Sequence, residues 1–588
     1  MLNPKKDRLD YGSILSPPQN YQLDFAIGAT YSLDLDALVG ASISLGLSAE
    51  NDTELNKNPI FLLEALRSTG DKIALFCESG QIKLPNKTTT LYILLEDMVF
   101  QVTNSNNVEY SRYASFHPKV WVLRYINDKK EILYRFAVLS RNLTFDRNWD
   151  LSFSMDGSIT DSKTDKNNPL IKFLEFLSGF STDGDKTDKI REIMNELENV
   201  EFKLDSNVFE GFDFILNGVG AEYSIQNHQL FYSNSLENLL IMSPFLSKDV
   251  IIDFNNRKKP NSKAILITRL NSLSPLKDKK LDNFEFYALK DDVVDGESLL
   301  SEEYSQKQDI HAKMYIVEKR NYVDLYLGSL NASHNALFGN VEFMIKLWAK
   351  KRRFNINKVL KNIFNDGKDN PFQMVNMDTI KSEPENDGND LNLIVKQIVR
   401  LNSSANVISR NDSFDLEVEF DKDYDDYDIE IQPLLSNKKV KFSRKIIFKD
   451  LDKVQLSEFF IITITKDDDS IRRIIKIPVD NLPEDRQNDV VSNIINDKTA
   501  FIRYVAFLLG DEYILSSIED GDYSSDKSDT NFTVELPELY EKMLKAAMYE
   551  PEKFSELEFL IKTLSKDNVI PEGFEELHDT FKRVINDE

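Results

Sequence analysis

The chain has 588 residues, 41% hydrophobic and 11% aromatic, the composition of a folded protein with more than one core. Its single cysteine excludes an internal disulfide, and no apolar run reaches the roughly 18 to 20 residues of a membrane span. Residues 1–355 hold 42 Lys+Arg against 49 Asp+Glu, which leaves 30 against 49 in residues 356–588, so −7 and −19 make up the net −26. A field of that sign opposes indiscriminate binding of polyanions, so any nucleic acid must meet a local basic surface in the first part of the chain. The opening residues have no apolar signal core, and a cytoplasmic protein is the expectation.

The first 156 residues alternate strand and helix signals, which predicts a mixed α/β unit. Asp24–Tyr31 reads as a strand, and Ser32 and Asp34 can cap a helix from Leu35 to about Leu47. Buried strands are expected at Lys72–Cys77 and Leu91–Leu95, and a hairpin at Val120–Tyr125 and Ile132–Leu139 around Asn127–Lys130. Residues 157–232 turn polar and then helical, at Leu170–Phe180 and Lys189–Leu197, as a connector or insertion.

The α/β pattern returns over 233–355. Leu239–Met242, Lys263–Thr268 and Phe284–Leu289 read as strands, and Met314–Val317 with Tyr322–Leu327 forms a second hairpin in the order of the first. Residues 356–404 read as linker and helix. Alternating strands at Phe414–Phe420, Lys438–Phe448, Phe459–Thr465 and Ile471–Ile477 then predict a β-sandwich-like domain over 405–482. Residues 483–588 are helical in pattern, with amphipathic runs at Val490–Leu509, Leu536–Met548 and Phe554–Leu564.

Two of only five histidines stand in His-x-Lys triplets, His117-Pro-Lys119 and His311-Ala-Lys313. Each triplet is followed by a strand, a turn, a second strand and a Ser-x-Asn loop: Ser140-Arg141-Asn142 in one half, Ser329-Leu330-Asn331 in the other. An acidic residue follows each loop, Asp150 after Trp149 and Glu342 after Val341. Hydrolysing a phosphodiester without a metal needs a nucleophile, a proton donor for the leaving oxygen and cationic donors for the phosphoryl oxygens. Two imidazoles, two ammonium groups and two amides supply that set, with hydroxyls from Ser140 and Ser329 and tautomer-fixing carboxylates from Asp150 and Glu342.

With these motifs, residues 20–350 resemble the phospholipase D superfamily. The second half fits well, with Glu318 where the family usually has Asp, and Gly328 before Ser329. In the first half Arg124 stands at the acidic position and Leu139 replaces the glycine, features similar to the tyrosyl-DNA phosphodiesterase branch. The resemblance implies two pseudo-symmetric lobes with both motifs at their interface, His117 as nucleophile, His311 as acid and no cofactor. The missing acid is expected to matter to the fold more than to the chemistry.

Basic clusters favour nucleic acid over lipid: Arg141 and Arg147 beside the first motif, Arg257–Lys259, Lys277 with Lys279 and Lys280, and Lys350, Lys351, Arg352 and Arg353. The architecture resembles nuclease subunits of bacterial defence or restriction systems, which implies a helicase or ATPase partner, with a dimer one option for assembly. A phospholipase or phosphatidyltransferase, and an inert scaffold, stay open as alternatives. Asp421–Asp428 lacks the ligand spacing and glycine of an EF-hand, Asp467–Asp469 reads as a hairpin turn, and neither His228 nor His578 has a zinc partner at ligand spacing. The acidic C-terminal part, finally, is expected to restrain the groove.

Overall fold

A computed structural model describes residues 11–46, 58–104, 114–145, 148–228, 230, 235–290, 309–364, 370–380, 390–411, 413–424, 427–467, 469–509, 543–548, 551, 553–565 and 569–586. Two large sheets dominate the first 374 residues. The seven-stranded sheet runs, edge to edge, Val200–Lys203, Ser152–Ile159, Ile132–Leu139, Val120–Ile126, Gln22–Thr30, Ile73–Glu78 and Val99–Val102. The eight-stranded sheet runs Gly211–Asn217, Glu342–Lys350, Tyr322–Gly328, Met314–Glu318, Leu239–Met242, Ala264–Thr268, Phe284–Leu289 and Phe372–Met374.

The seven strands of the first sheet and the first seven of the second match one to one in pairing sense. Gln22–Thr30 and Leu239–Met242 each have a parallel neighbour on one side and an antiparallel hairpin strand on the other. The register extends the match: Ala29 faces Val120 as Met242 faces Met314. Thr30, Tyr31 and Glu78 of the first half thereby correspond to Ser243, Pro244 and Arg269 of the second.

Alternation along the central strands builds the layers. Phe25, Ile27 and Ala29 point into a core shared with Leu240 and Met242, so the two sheets bury one layer between them, filled out by the helices Asn168–Ser178 and Gly184–Leu197. Leu239 and Ile241 point the other way, under the helix Lys248–Arg257. Leu23 and Ala26 face the helices Leu35–Gly46 and Pro59–Thr69. Asp34 accepts the Asp36 N–H at the start of the first of these, whereas Ser32 bonds instead to the Gln81 carbonyl.

One expected strand is not a strand. Leu91–Leu95 lies in a 3-10 helix, Thr90–Met98, whose first turn is capped by the Thr89 hydroxyl. A short, wholly apolar run carries no periodicity that separates a buried strand from a buried helix, and the cap decides it.

Apart from the short pair Asn148–Trp149 and Asp309–Ile310, the remaining strands form a six-stranded sheet and a four-stranded one, with a core between them. The six-stranded sheet includes Leu33–Asp34 and Ile82–Lys83 from the first 156 residues, next to Asp469–Lys476. Its Phe460, Ile462 and Ile464 face the four-stranded sheet, while Phe459 and Ile461 join the core of the Leu35–Gly46 and Pro59–Thr69 helices. The helices Arg486–Ile494, Lys498–Leu508, Lys553–Leu564 and Phe574–Asn586 contribute to that same core. Residues 510–542 lie outside the described residues, and with them much of the run Leu536–Met548. Among the described residues no helix is long and apolar enough to cross a membrane.

Candidate active site at the junction of the two sheets

Each His-x-Lys segment leads into a central strand and is tied by its backbone to the opposite half. The His117 N–H donates to the Val341 carbonyl at 2.9 Å, and the Val341 N–H to the Ser115 carbonyl at 2.9 Å. In the second half the His311 and Ala312 N–H groups donate to the Trp149 carbonyl at 2.9 and 2.8 Å, and Asp309–Ile310 pairs in parallel with Asn148–Trp149. The segment after each Ser-x-Asn loop thus holds the other half's histidine, and this exchange brings the two motifs together.

Glu342 sits at the centre. Its carboxylate lies 3.1 Å from His117 Nδ1 and accepts from the Ser329 hydroxyl and, at 3.0 Å, from Asn340 Nδ2. Lys119 Nζ lies 3.3 Å from both ring nitrogens of His117 and donates to the His117 carbonyl at 2.9 Å. The Tyr31 ring packs on the imidazole, centroids 4.9 Å apart. Lys313 Nζ donates to the His311 carbonyl at 2.5 Å.

Asp150 corresponds to Glu342 and bonds Ser140 as Glu342 bonds Ser329, at 3.0 Å. It is one methylene shorter, and its second oxygen is buried with no hydrogen-bond partner in the described structure, as is the amide oxygen of Asn142. Of the two motif imidazoles, His117 alone has a carboxylate on it among the described residues.

Burial pushes the His117 pKa down to about 4, against the Glu342 carboxylate, which raises it, and with Lys119, which lowers it. Burial and the cations Lys313, Lys119 and Arg269 push His311 down to about 2. Burial, then Lys313, holds Lys119 well below the usual lysine range. Asp150 is raised by burial to about 6. An anion at this site would offset the cations that lower His117, Lys119 and His311.

No protein-family model matches the sequence, and no curated protein matches it. Solved structures with partial likeness include yeast tyrosyl-DNA phosphodiesterase, 13% identical over 60% of this chain and 87% of that one, TM-score 0.36. A single-residue mutant of the same enzyme is 14% identical over 60% and 88%, TM-score 0.37. Polyphosphate kinase from Porphyromonas gingivalis is 12% identical over 66% and 49%, TM-score 0.34.

Several residues that support the site carry no sequence motif. The Thr30 hydroxyl accepts the N–H of Leu143, directly after Asn142, and the Ser243 hydroxyl accepts that of Ala332, directly after Asn331, both at 3.0 Å. The Glu78 carboxylate accepts the Phe116 N–H at 2.7 Å, and the corresponding Arg269 donates to the Ile310 carbonyl at 3.5 Å, so groups of opposite charge brace the residues before the two histidines. Burial raises Glu78 to about 7, and Lys396 lowers it. Lys396 comes from the helix Asp390–Ile398, lies 3.6 Å from Glu78 and donates to the Ser115 hydroxyl at 2.6 Å.

Two positions at which the halves differ, Arg124 against Glu318 and Leu139 against Gly328, have local structural outcomes. Arg124 binds Asp24, Glu192 and Glu196, so it anchors the helix Gly184–Leu197, while Glu318 accepts the Ile356 N–H that opens the helix Ile356–Phe364. Equivalent positions of opposite charge hold a helix on each sheet. A Cβ at Gly328 would lie 2.4 Å from the Phe343 carbonyl oxygen, whereas Leu139 faces Ser152 across an ordinary ladder.

The basic residues divide. Arg141 clamps its own loop through the Thr144 carbonyl, and Arg147 lies outside the described residues. Lys350 ends the strand that Glu342 begins, roughly 26 Å along it at about 3.3 Å per residue. Lys350 and Arg353 pair with Glu210, and Lys351 with Glu318, so the structure does not bring this cluster, Arg352 included, to the histidines. Among the described residues no group of three or more His, Cys, Asp or Glu is placed to hold a metal ion.

Proposed function

We propose that the chain is a metal-independent phosphodiesterase of the phospholipase D type that cleaves nucleic acid through a phosphohistidine. The observation that carries the reading is the His117–Glu342 contact across the junction, with Lys119 against the same imidazole. Nε2 of His117 attacks phosphorus while the bond to the leaving oxygen breaks, and Glu342 on Nδ1 offsets the positive charge that develops on the ring. Lys119, Lys313, Asn142 and Asn331 receive the phosphoryl oxygens. His311, protonated once the phosphate has supplied a negative charge, gives its proton to the leaving oxygen. It then takes one from the water that attacks phosphorus and frees His117.

Nucleic acid, DNA or RNA, is favoured over lipid by the cations of the first part of the chain. A prokaryotic cytoplasm, a defence or restriction role and a helicase or ATPase partner belong to the same reading. The deciding experiment incubates purified protein with labelled single- and double-stranded DNA and RNA in EDTA. Cleavage should survive chelation and disappear in His117→Ala and in His311→Ala. Cleavage that EDTA stops and magnesium restores would overturn the mechanism.

A further inference from the structure

A ring lies in solvent beside the second motif. Phe245 is 47% exposed, and its backbone carbonyl accepts from the Ser243 hydroxyl, the group that also receives the N–H after Asn331. The Arg269 guanidinium lies 4.5 Å from the Phe245 ring centroid and reaches the Ile310 carbonyl, next to His311. The turn Asn271–Leu276 is fastened to the same place, because the Ser272 hydroxyl donates to the Pro244 carbonyl at 2.8 Å. Lys277, Lys279 and Lys280 follow that turn in the sequence. The first half also exposes a ring near its motif, at a position that does not correspond to Phe245: Phe145, 62% exposed, stands three residues after Asn142.

An exposed apolar ring with a guanidinium at its face, close in the chain to the candidate phosphodiester site, fits a ligand with an aromatic face and a phosphate spaced along one chain. We propose that Phe245, with Arg269 beside it, is a stacking platform for an unpaired nucleobase of the substrate strand on the His311 side. The proposal rests on the phosphodiesterase reading and narrows its substrate to nucleic acid with accessible bases. Stacking uses the π-face that every base has, so it binds single strands without reading sequence, while a duplex keeps those faces covered. Arg269 adds a cation to the ring and a positive charge for the adjoining phosphate. A lipid surface would call for a broader apolar patch than Phe245 and the exposed Leu270 provide.

The test uses the full-length protein and anisotropy read before turnover. The ligands are a labelled oligodeoxythymidylate, an abasic strand with the same number of phosphates, and a duplex of the same length. The native protein should prefer the base-bearing strand over the abasic one by about tenfold. Phe245→Ala should bring that ratio close to one, and Phe245→Trp should keep it. The side chain is half in solvent, so equal melting temperatures serve as the folding control. A native protein with no preference, or a preference that survives Phe245→Ala, overturns the proposal. So does a Phe245-dependent attachment to phosphatidylglycerol vesicles with no base preference. Turnover of methyl p-nitrophenyl phosphate by the native protein reports on the histidine pair separately. Turnover without base preference sinks the platform alone, whereas base preference without turnover supports the platform and sinks the phosphodiesterase reading.

Discussion

Nδ1 of His117 lies 3.1 Å from a carboxylate oxygen of Glu342, a residue 225 positions further along the chain and on the other large sheet. The corresponding pair, His311 and Asp150, makes no such bond, and the difference is one methylene. Under the proposed mechanism this asymmetry supports dividing the labour between two identical side chains, with His117 as nucleophile.

Glu342→Gln should expose that division. The amide keeps the size of the side chain, so Ser329 and Asn340 stay partnered or nearly so, but the negative charge opposite the developing imidazolium is gone. The kcat should fall by about two to four orders of magnitude with little change in KM, as expected when a carboxylate that orients an imidazole is neutralised. Glu342 also raises the His117 pKa, so its loss should lower that value further. A variant within threefold of native kcat would remove Glu342 from the mechanism.

Stability should depend on pH through the two imidazoles. An unfolded histidine titrates near 6.5, whereas folded His117 and His311 are held at about 4 and about 2. Between those limits the unfolded chain binds more protons, so stability is fully present above about 6.5 and is lost as pH falls. Glu78 and Asp150, raised to about 7 and about 6, act in the opposite sense and lose stability as pH rises through those values. Replacing one histidine isolates its share: His311→Asn should lose less melting temperature than the native protein between pH 6.5 and 4. Parallel melting curves for the two proteins over that range would contradict the burial assigned to His311.

Lys396→Met should leave Glu78 as a buried carboxylate without its close cation, and should cost about 3 kcal/mol on the scale of broken buried pairs. Glu78→Gln in the same chain should recover most of that loss, which chemical denaturation of the single and double variants would measure. If the pair also positions the segment before His117, Lys396→Met should lower kcat more than it raises KM. Additive losses in the double variant would mean that the two groups do not act on each other.

What could be read from the sequence was local. The hairpins, the His-x-Lys triplets and the Ser-x-Asn loops announce themselves within about 30 residues, through alternation and turn chemistry. The partners of Glu78, Arg269, Thr30 and Ser243 lie 38 to 113 residues away, at Phe116, Ile310, Leu143 and Ala332, and none of the four belongs to a motif. Leu91–Leu95 misled because every residue in it is apolar. The strand Asp469–Lys476 displays its half-buried pattern openly, but nothing in that pattern tells that its neighbour is Ile82–Lys83.

A fragment ending at Phe354 would lose the strand Asp469–Lys476 from beside Ile82–Lys83. The net charge of −19 on residues 356–588 invites the idea of a detachable acidic cover, and removal of a cover should leave a soluble fragment that binds DNA more tightly at low salt. The packing argues against it. Phe501, Tyr504, Val505, Leu557, Leu560 and Leu564 are buried in one core with Phe61, Leu63 and Leu66. Tyr504 donates to Glu64 and accepts from Arg67 at 2.7 Å, and Arg67 lies over the Phe559 ring. At about 1.5 to 3 kcal/mol for each side chain taken out of water, those six contribute roughly 9 to 18 kcal/mol, as much as the whole stability of an ordinary domain. The fragment also loses the strand beside Ile82–Lys83 and the lysine beside Glu78. It should therefore aggregate, or melt without cooperativity, and have no activity, which expression and differential scanning calorimetry would show. A soluble fragment with a sharp transition and native turnover would mean that the shared core is dispensable, and would restore the acidic region to the role of a cover.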